Sequence, residues 1–240
     1  MAGADRNRRC SQYIRGVNSH SAFLFDLDGT LVDSVYHHVL AWHEALTREG
    51  IELSIWRIHR KVGMSGGLFA NMLLREIGVA LDPQRIERLQ RLHAQAYKQR
   101  IDDIQPLPGA AALLTFLTHA GIRWAVATSG RLETAGLALA KLGIEFRDAP
   151  IVTRDDVRFA KPDPDLFLAA AARLGIEIGS AFVVGDSVWD MLAAQRARAL
   201  GVGVLSGGYG LDELERAGAY RVFEDPADLL RHIDELGARR

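Results

Sequence analysis

A single cysteine, Cys10, stands among 240 residues, which excludes an intrachain disulfide framework. No ordered site is implied around it, so it reads as an incidental thiol. That usage fits a reducing compartment, and the expected location is cytoplasmic. No run approaches the roughly 20 apolar residues of a membrane-spanning helix. The first 20 residues carry Arg6, Arg8, Arg9 and Arg15 and lack the apolar run of a secretory signal; a disordered extension is expected there. Neither sign of charge dominates: 29 Lys and Arg against 30 Asp and Glu give a formal net charge of -1. That balance gives no support for nucleic acid or an acidic membrane as partner. Internal repeats and low-complexity tracts are also missing, and nothing in the pattern sets an oligomeric state.

The remainder is ordinary for a globular protein, with 48% hydrophobic and 25% charged residues. The length is sufficient to bury a sizeable core without metal or disulfide. Short apolar runs alternate with helical stretches, the pattern of an α/β fold with a parallel sheet. The strand candidates are Ala22–Phe25, Trp124–Ala127, Pro150–Val152, Ala181–Val184 and Val202–Leu205. Helices are expected over Gly109–Ala120, ending at Gly121, and over Leu132–Leu142, ending at Gly143. Three more start at Asp163-Pro164, read as N-cap and N1 proline, near Ser187, and at Asp225-Pro226.

The stretch from Val35 to about Asp102 breaks the alternation. It reads as four consecutive helices, Val35–Glu49, Ser54–Val62, Gly67–Ile77 and Pro83–Arg100. In the last, Ile86, Leu89, His93, Ala96 and Tyr97 recur at helical spacing. The expected organisation is therefore an α/β core over residues 21–34 and 103–240, holding an all-helical insert over 35–102. Pro106 and Pro108 mark the return to the core.

Four motifs carry chemistry. In Phe23-Leu24-Phe25-Asp26-Leu27-Asp28-Gly29-Thr30-Leu31, an apolar strand delivers two carboxylates at its C-terminal end, where ligands of open parallel sheets bind. Residues i and i+2 of extended backbone share a side, so Asp26 and Asp28 can converge. A lone D-x-D is more often a solvated turn; the strand context reverses that. In Phe182-Val183-Val184-Gly185-Asp186-Ser187-Val188-Trp189-Asp190, a second strand ends in a carboxylate, with Asp190 on the same face of the following helix. Alone these two could be a cap and a first-turn charge; beside the first motif they suit a divalent cation with oxygen ligands, such as Mg2+. In Trp124-Ala125-Val126-Ala127-Thr128-Ser129-Gly130, hydroxyls and a glycine open a helix, where main-chain N–H groups can hold phosphate. Finally, Lys161-Pro162-Asp163-Pro164-Asp165 puts a lysine at a strand-to-helix connection on the same presumed side.

These four motifs, in this order, resemble the haloacid dehalogenase-like superfamily across residues 21–210, and within it the phosphoglycolate phosphatase and β-phosphoglucomutase-like members. The resemblance implies a three-layer Rossmann-like parallel sheet with an inserted helical cap domain. It implies a magnesium-dependent phosphatase acting on a small phosphorylated metabolite, a sugar phosphate or phosphorylated small acid. Asp26 would be the nucleophile that carries the phosphoryl group, and Asp28 the acid and base. Thr128 and Lys161 would hold phosphoryl oxygens, with Ser129 and Gly130 beside them. Asp26, Asp28 through its main-chain carbonyl, Asp186 and Asp190 would hold the metal, Asp190 as ligand or support. A retained Asp28 favours phosphate esters over the family's dehalogenase and phosphonate chemistries.

The cap should set substrate preference. His38 matches a histidine of the β-phosphoglucomutase-like cap; a substrate contact and simple packing on a helix face both fit it. Ser65 lies in Gly63-Met64-Ser65-Gly66-Gly67, where the mutase-like group tends to carry an arginine and this chain has Gly66. Asp33-Ser34 should cap the first insert helix and form a hinge. Tyr209, in Gly207-Gly208-Tyr209-Gly210, is expected to be structural. A sugar phosphomutase remains the nearer alternative, and a non-catalytic binder with the same fold the more distant one.

Overall fold

The computed structural model describes residues 22–78, 82–143 and 150–238. The expected N-terminal extension, with Cys10, lies outside them. Six parallel strands form one sheet in the order β3-β2-β1-β4-β5-β6. They are β1 Ala22–Phe25, β2 Arg123–Ala127, β3 Ile151–Val152, β4 Ala181–Gly185, β5 Leu200–Val204 and β6 Ala219–Phe223. β1 lies at the centre with β2 on one side and β4 on the other. Connections therefore diverge on either side of it, which leaves a crevice at the C-terminal strand ends.

Both faces of the sheet are covered, which is why its central strands β1 and β4 are apolar throughout. Alternate residues of β1 point to opposite layers. Phe23 and Phe25 pack with Leu113 and Leu117 of α5 (Ala110–His119), Ala135 and Leu139 of α6 (Leu132–Lys141), and Leu229 of α10 (Pro226–Arg231). Ala22 and Leu24 pack with Phe167 and Ala170 of α7 (Asp165–Leu174) and Ala194 of α8 (Val188–Ala197). Each such fully buried Phe or Leu contributes about 1.5–3 kcal/mol. This is the three-layer α/β fold expected from the sequence.

Between Ser34 and Arg100 the described residues form four helices and no strand: α1 Val35–Arg48, α2 Ile55–His59, α3 Gly66–Glu76 and α4 Pro83–Lys98. They bury their own cluster, with Val39, Trp42 and Leu46 of α1 against Phe69 and Leu73 of α3 and Leu89 of α4. The insert leaves and re-enters the core through adjacent strands of chain. Asp33 N–H donates to the Gln105 carbonyl at 2.9 Å and Leu107 N–H to the Leu31 carbonyl at 2.9 Å.

Three local expectations shift. The helix α7 begins at Asp165, with Pro164 in the N-cap place rather than N1. Ser34 occupies the N-cap of α1, but its hydroxyl makes no cap bond; it donates to Asp28 Oδ1 at 2.6 Å. β6 and the short α9 (Leu211–Arg216) were not expected. β6 is an edge strand with Tyr220 and Arg221 exposed, so its residues do not form the apolar run that marks the inner strands.

Candidate active site

The site grows from the C-terminal ends of β1, β2 and β4. Pairing with β4 persists one residue past β1, since Asp26 N–H donates to the Val184 carbonyl at 2.8 Å. That bond fixes Asp26, whose side chain is buried. Gly29 then turns the chain with φ 83°. A Cβ at Gly29 would lie 2.7 Å from Asp186 Oδ2, so only glycine allows this turn beside that carboxylate. The carbonyl of Gly29 accepts from Ser206 Oγ at 2.6 Å, and Thr30 Oγ1 donates to Asp186 Oδ1 at 3.2 Å.

Asp26, Asp186 and Asp190 are all buried, and one carboxylate oxygen of each lies within 4.8 Å of the others. Asp190 is held from its own helix start: its Oδ2 accepts from Ser187 N–H at 3.1 Å and Ser187 Oγ at 2.5 Å. The fully buried Lys161 forms ion pairs with Asp26 and, at 2.8 Å, with Asp190 Oδ1. Burial alone would depress the Lys161 ammonium, but Asp190 and Asp26 outweigh it and raise the pKa above the ordinary lysine range. Three carboxylates face this one ammonium. Burial first, then the neighbouring carboxylates, push Asp186 well above the usual range. Burial likewise raises Asp26 to about 7 despite Lys161. A hard divalent cation fits such an oxygen set, because it supplies the positive charge that the buried cluster lacks.

Asp28 is set apart. Its Oδ1 meets Ser34 Oγ and, at 3.1 Å, His38 Nε2 from α1. Burial works to raise its pKa, but His38 and Ser34 together bring it below the usual carboxylate value. On the other side of the crevice, the buried Thr128 accepts from Gly130 N–H at 2.9 Å through Oγ1. Among the described residues, Ser129 Oγ is buried without a hydrogen-bond partner. Both residues line the same pocket as Asp26 and Asp28.

That pocket is roofed by the insert. Trp42 and Phe69 stack at 4.2 Å, and Met64 and His93 also face the cavity. Of the cap residues singled out from the sequence, His38 lines the pocket. It is also packed, with its ring parallel to Tyr97 at 4.0 Å. Ser65 has another position: its Oγ accepts from Leu68 N–H at 3.4 Å as the N-cap of α3, and its neighbours Met64 and Gly66 line the cavity instead. Tyr209 joins cap to core, donating its hydroxyl to the Arg60 carbonyl at 3.0 Å while the Arg60 guanidinium lies over its ring. His59, ending α2, hydrogen-bonds the Gly207 carbonyl at 2.9 Å. Sequence reasoning gave no part in the site to Thr30, Ser187 or His93, nor to Arg154, which also lines the pocket. His93 and Tyr97 could have been paired, since residues four apart on a helix lie one above the other.

The family profile of haloacid dehalogenase-like hydrolases matches residues 20–198. A hydrolase from Pseudomonas syringae of solved structure is 55% identical, superimposes with a TM-score of 0.88, and is matched over 90% of this chain and 98% of its own. A phosphoglycolate phosphatase of Rhodospirillum rubrum is 33% identical over 214 residues, covering 87% of this chain and 88% of that protein. Hexitol phosphatase A of Escherichia coli is 33% identical over 177 residues, covering 73% and 78% respectively. The ordered motifs, the sheet with its helical cap and these likenesses agree: the chain belongs to the haloacid dehalogenase-like hydrolases and is similar to their phosphoglycolate phosphatases.

Proposed function

We propose that this phosphoric monoester hydrolase cleaves a small phosphorylated metabolite, a sugar phosphate or phosphorylated acid, through a phosphoaspartate on Asp26. The supporting observation is the convergence of Asp26 and Asp28 after β1, Thr128 after β2, Asp186 after β4 and Lys161 from the loop before α7 on one crevice. Asp26 attacks phosphorus and the ester oxygen leaves with a proton from Asp28. Asp28, now a carboxylate, takes a proton from water, which attacks the acyl phosphate and frees Asp26. Its lowered pKa keeps it ionised for the base half of the cycle. For the acid half, the arriving phosphate ester brings negative charge that favours the proton on Asp28.

Thr128, Ser129 and the main-chain N–H groups around Gly130 receive phosphoryl oxygens. Ser129 has a buried hydroxyl with no other partner among the described residues. Lys161 keeps the carboxylates from repelling the incoming group. Asp26, Asp186 and the Asp28 carbonyl would hold Mg2+, with Asp190, already bonded to Ser187 and Lys161, supporting them. When bound, the ion neutralises charge on the transferring phosphoryl group.

A mutase must grip a second phosphate on the far side of the substrate. The cap-loop residues that line this pocket, Val62, Gly63, Met64, Gly66 and Gly67, offer no cation, and the pocket's guanidinium groups are Arg131 and Arg154 of the core. The Asp26→Asn variant tests the reading: it should fold normally yet lose turnover of an aryl phosphate. Wild-type activity in that variant contradicts the phosphoaspartate. A coupled assay for sugar phosphate isomerisation separates mutase from phosphatase. Absence of magnesium-dependent turnover on any phosphate ester would favour the non-catalytic binder.

A further inference from the structure

We propose that His93 is a positioning residue, which holds His38 against Asp28 and so orients the acid and base from the cap. The inference rests on the proposed role of Asp28. It starts from donor and acceptor accounting. Ionised Asp28 has acceptors only, so the His38 Nε2 at 3.1 Å from Oδ1 must carry hydrogen. The other ring nitrogen, His38 Nδ1, lies 3.1 Å from His93 Nε2. Which nitrogen of a histidine bears the proton is set by the bond that the other one makes. His93 is therefore the group placed to support the tautomer of His38 that bonds Asp28.

Burial and the neighbouring His38 hold His93 well below the ordinary histidine pKa, so it keeps one N–H, and its Nε2 stands where it can donate to the bare Nδ1 of a His38 that donates to Asp28.

Stacking fixes both rings. His38 lies parallel to Tyr97, with an interplanar angle of 5°, and His93 lies on Trp42 at 4.2 Å and 17°. His93 and Tyr97 are one turn apart on α4, and together they grip the α1 histidine. The hydrogen-bonded order is Asp28, His38, His93, and only the first belongs to the core. Asp28 therefore has this orienting contact only while α1 and α4 are seated over the crevice. Its other Oδ1 partner, Ser34, lies at the hinge itself.

The test compares His93→Phe with His93→Gln. Phenylalanine keeps the stack on Trp42 and removes the polar contact, whereas the glutamine amide can donate or accept at nearly the place of Nε2. In the magnesium-loaded enzyme, His93→Phe should lower kcat on an aryl phosphate roughly tenfold, the scale of lost orienting partners, with KM changed less. His93→Gln should recover most of that loss. Nitrogen NMR of labelled histidines gives a readout that packing alone would not move: the His38 Nδ1 and Nε2 shifts should change in His93→Phe and return toward wild type in His93→Gln. The proposal is overturned if His93→Phe keeps wild-type kcat, if the two variants are equally impaired, or if the His38 shifts do not respond. An active Asp28→Ala variant would instead overturn the acid and base reading, while the NMR comparison still reports the His93 contact.

Discussion

Burial raises the Asp26 carboxyl to about 7, even with Lys161 against it. Its ordinary value is 3.8, so the folded protein binds a proton there that the unfolded chain has released. Stability from this group is complete below about pH 4 and is lost as pH rises through 7. Metal-free protein should therefore weaken over that interval. Magnesium needs the charged carboxylate, so the rise in Tm on adding it should be larger at pH 8 than at pH 5. Thermal melts with chelator and with magnesium at both pH values check this, and equal rises contradict it. At Asp28 the expectation is kinetic. Asp28→Ala should depress kcat on every phosphate ester, by about 100-fold or more, as loss of a general acid and base does. A loss confined to one ester in a substrate panel would speak against that role.

At the scale of elements, the cap should sort substrates and the core should process them. Ser65 caps α3 and does not line the pocket, whereas Met64 does. Ser65→Ala should then cost about 1 kcal/mol in a denaturant titration and leave the ranking of esters intact. Met64→Ala should reorder the ranking with little change on a small aryl phosphate. Reordering by Ser65→Ala instead would place that hydroxyl on the substrate. The contact between α2 and the loop before α9 gives a second contrast. Arg60 pairs with Glu213 where both are substantially exposed, so Glu213→Gln should change stability by less than about 1 kcal/mol. Tyr209→Ala loses a buried ring packed with Met191 and Leu214 as well as its bond to Arg60, and should cost roughly 3 kcal/mol. Urea unfolding distinguishes the two.

Across the whole molecule, what was legible in the sequence follows from locality. β1 was read to the residue because an apolar run between polar neighbours has one physical explanation in an α/β chain. The capped start of α10 was legible because Asp225 and Pro226 act within one turn. β6 was not, since an edge strand can carry exposed Tyr220 and Arg221. Asp26, Asp28, Thr128 and Asp186 could be proposed from order and spacing because they follow strand ends, and Lys161 because its Lys161-Pro162-Asp163-Pro164 turn opens α7. The Asp28–His38–His93 chain could not, because it joins residues 55 positions apart through the packing of α1 on α4. The same holds for Ser34, whose hydroxyl takes a carboxylate where a helix cap was expected. The central claim is covalent chemistry at one residue, and trapping tests it most directly. The magnesium-loaded enzyme, mixed with an aryl phosphate labelled on phosphorus and quenched in acid, should carry base-labile label. Peptide mapping should place that label on Asp26. Label on another residue, or full turnover with no labelled protein at any quench time, would contradict the account.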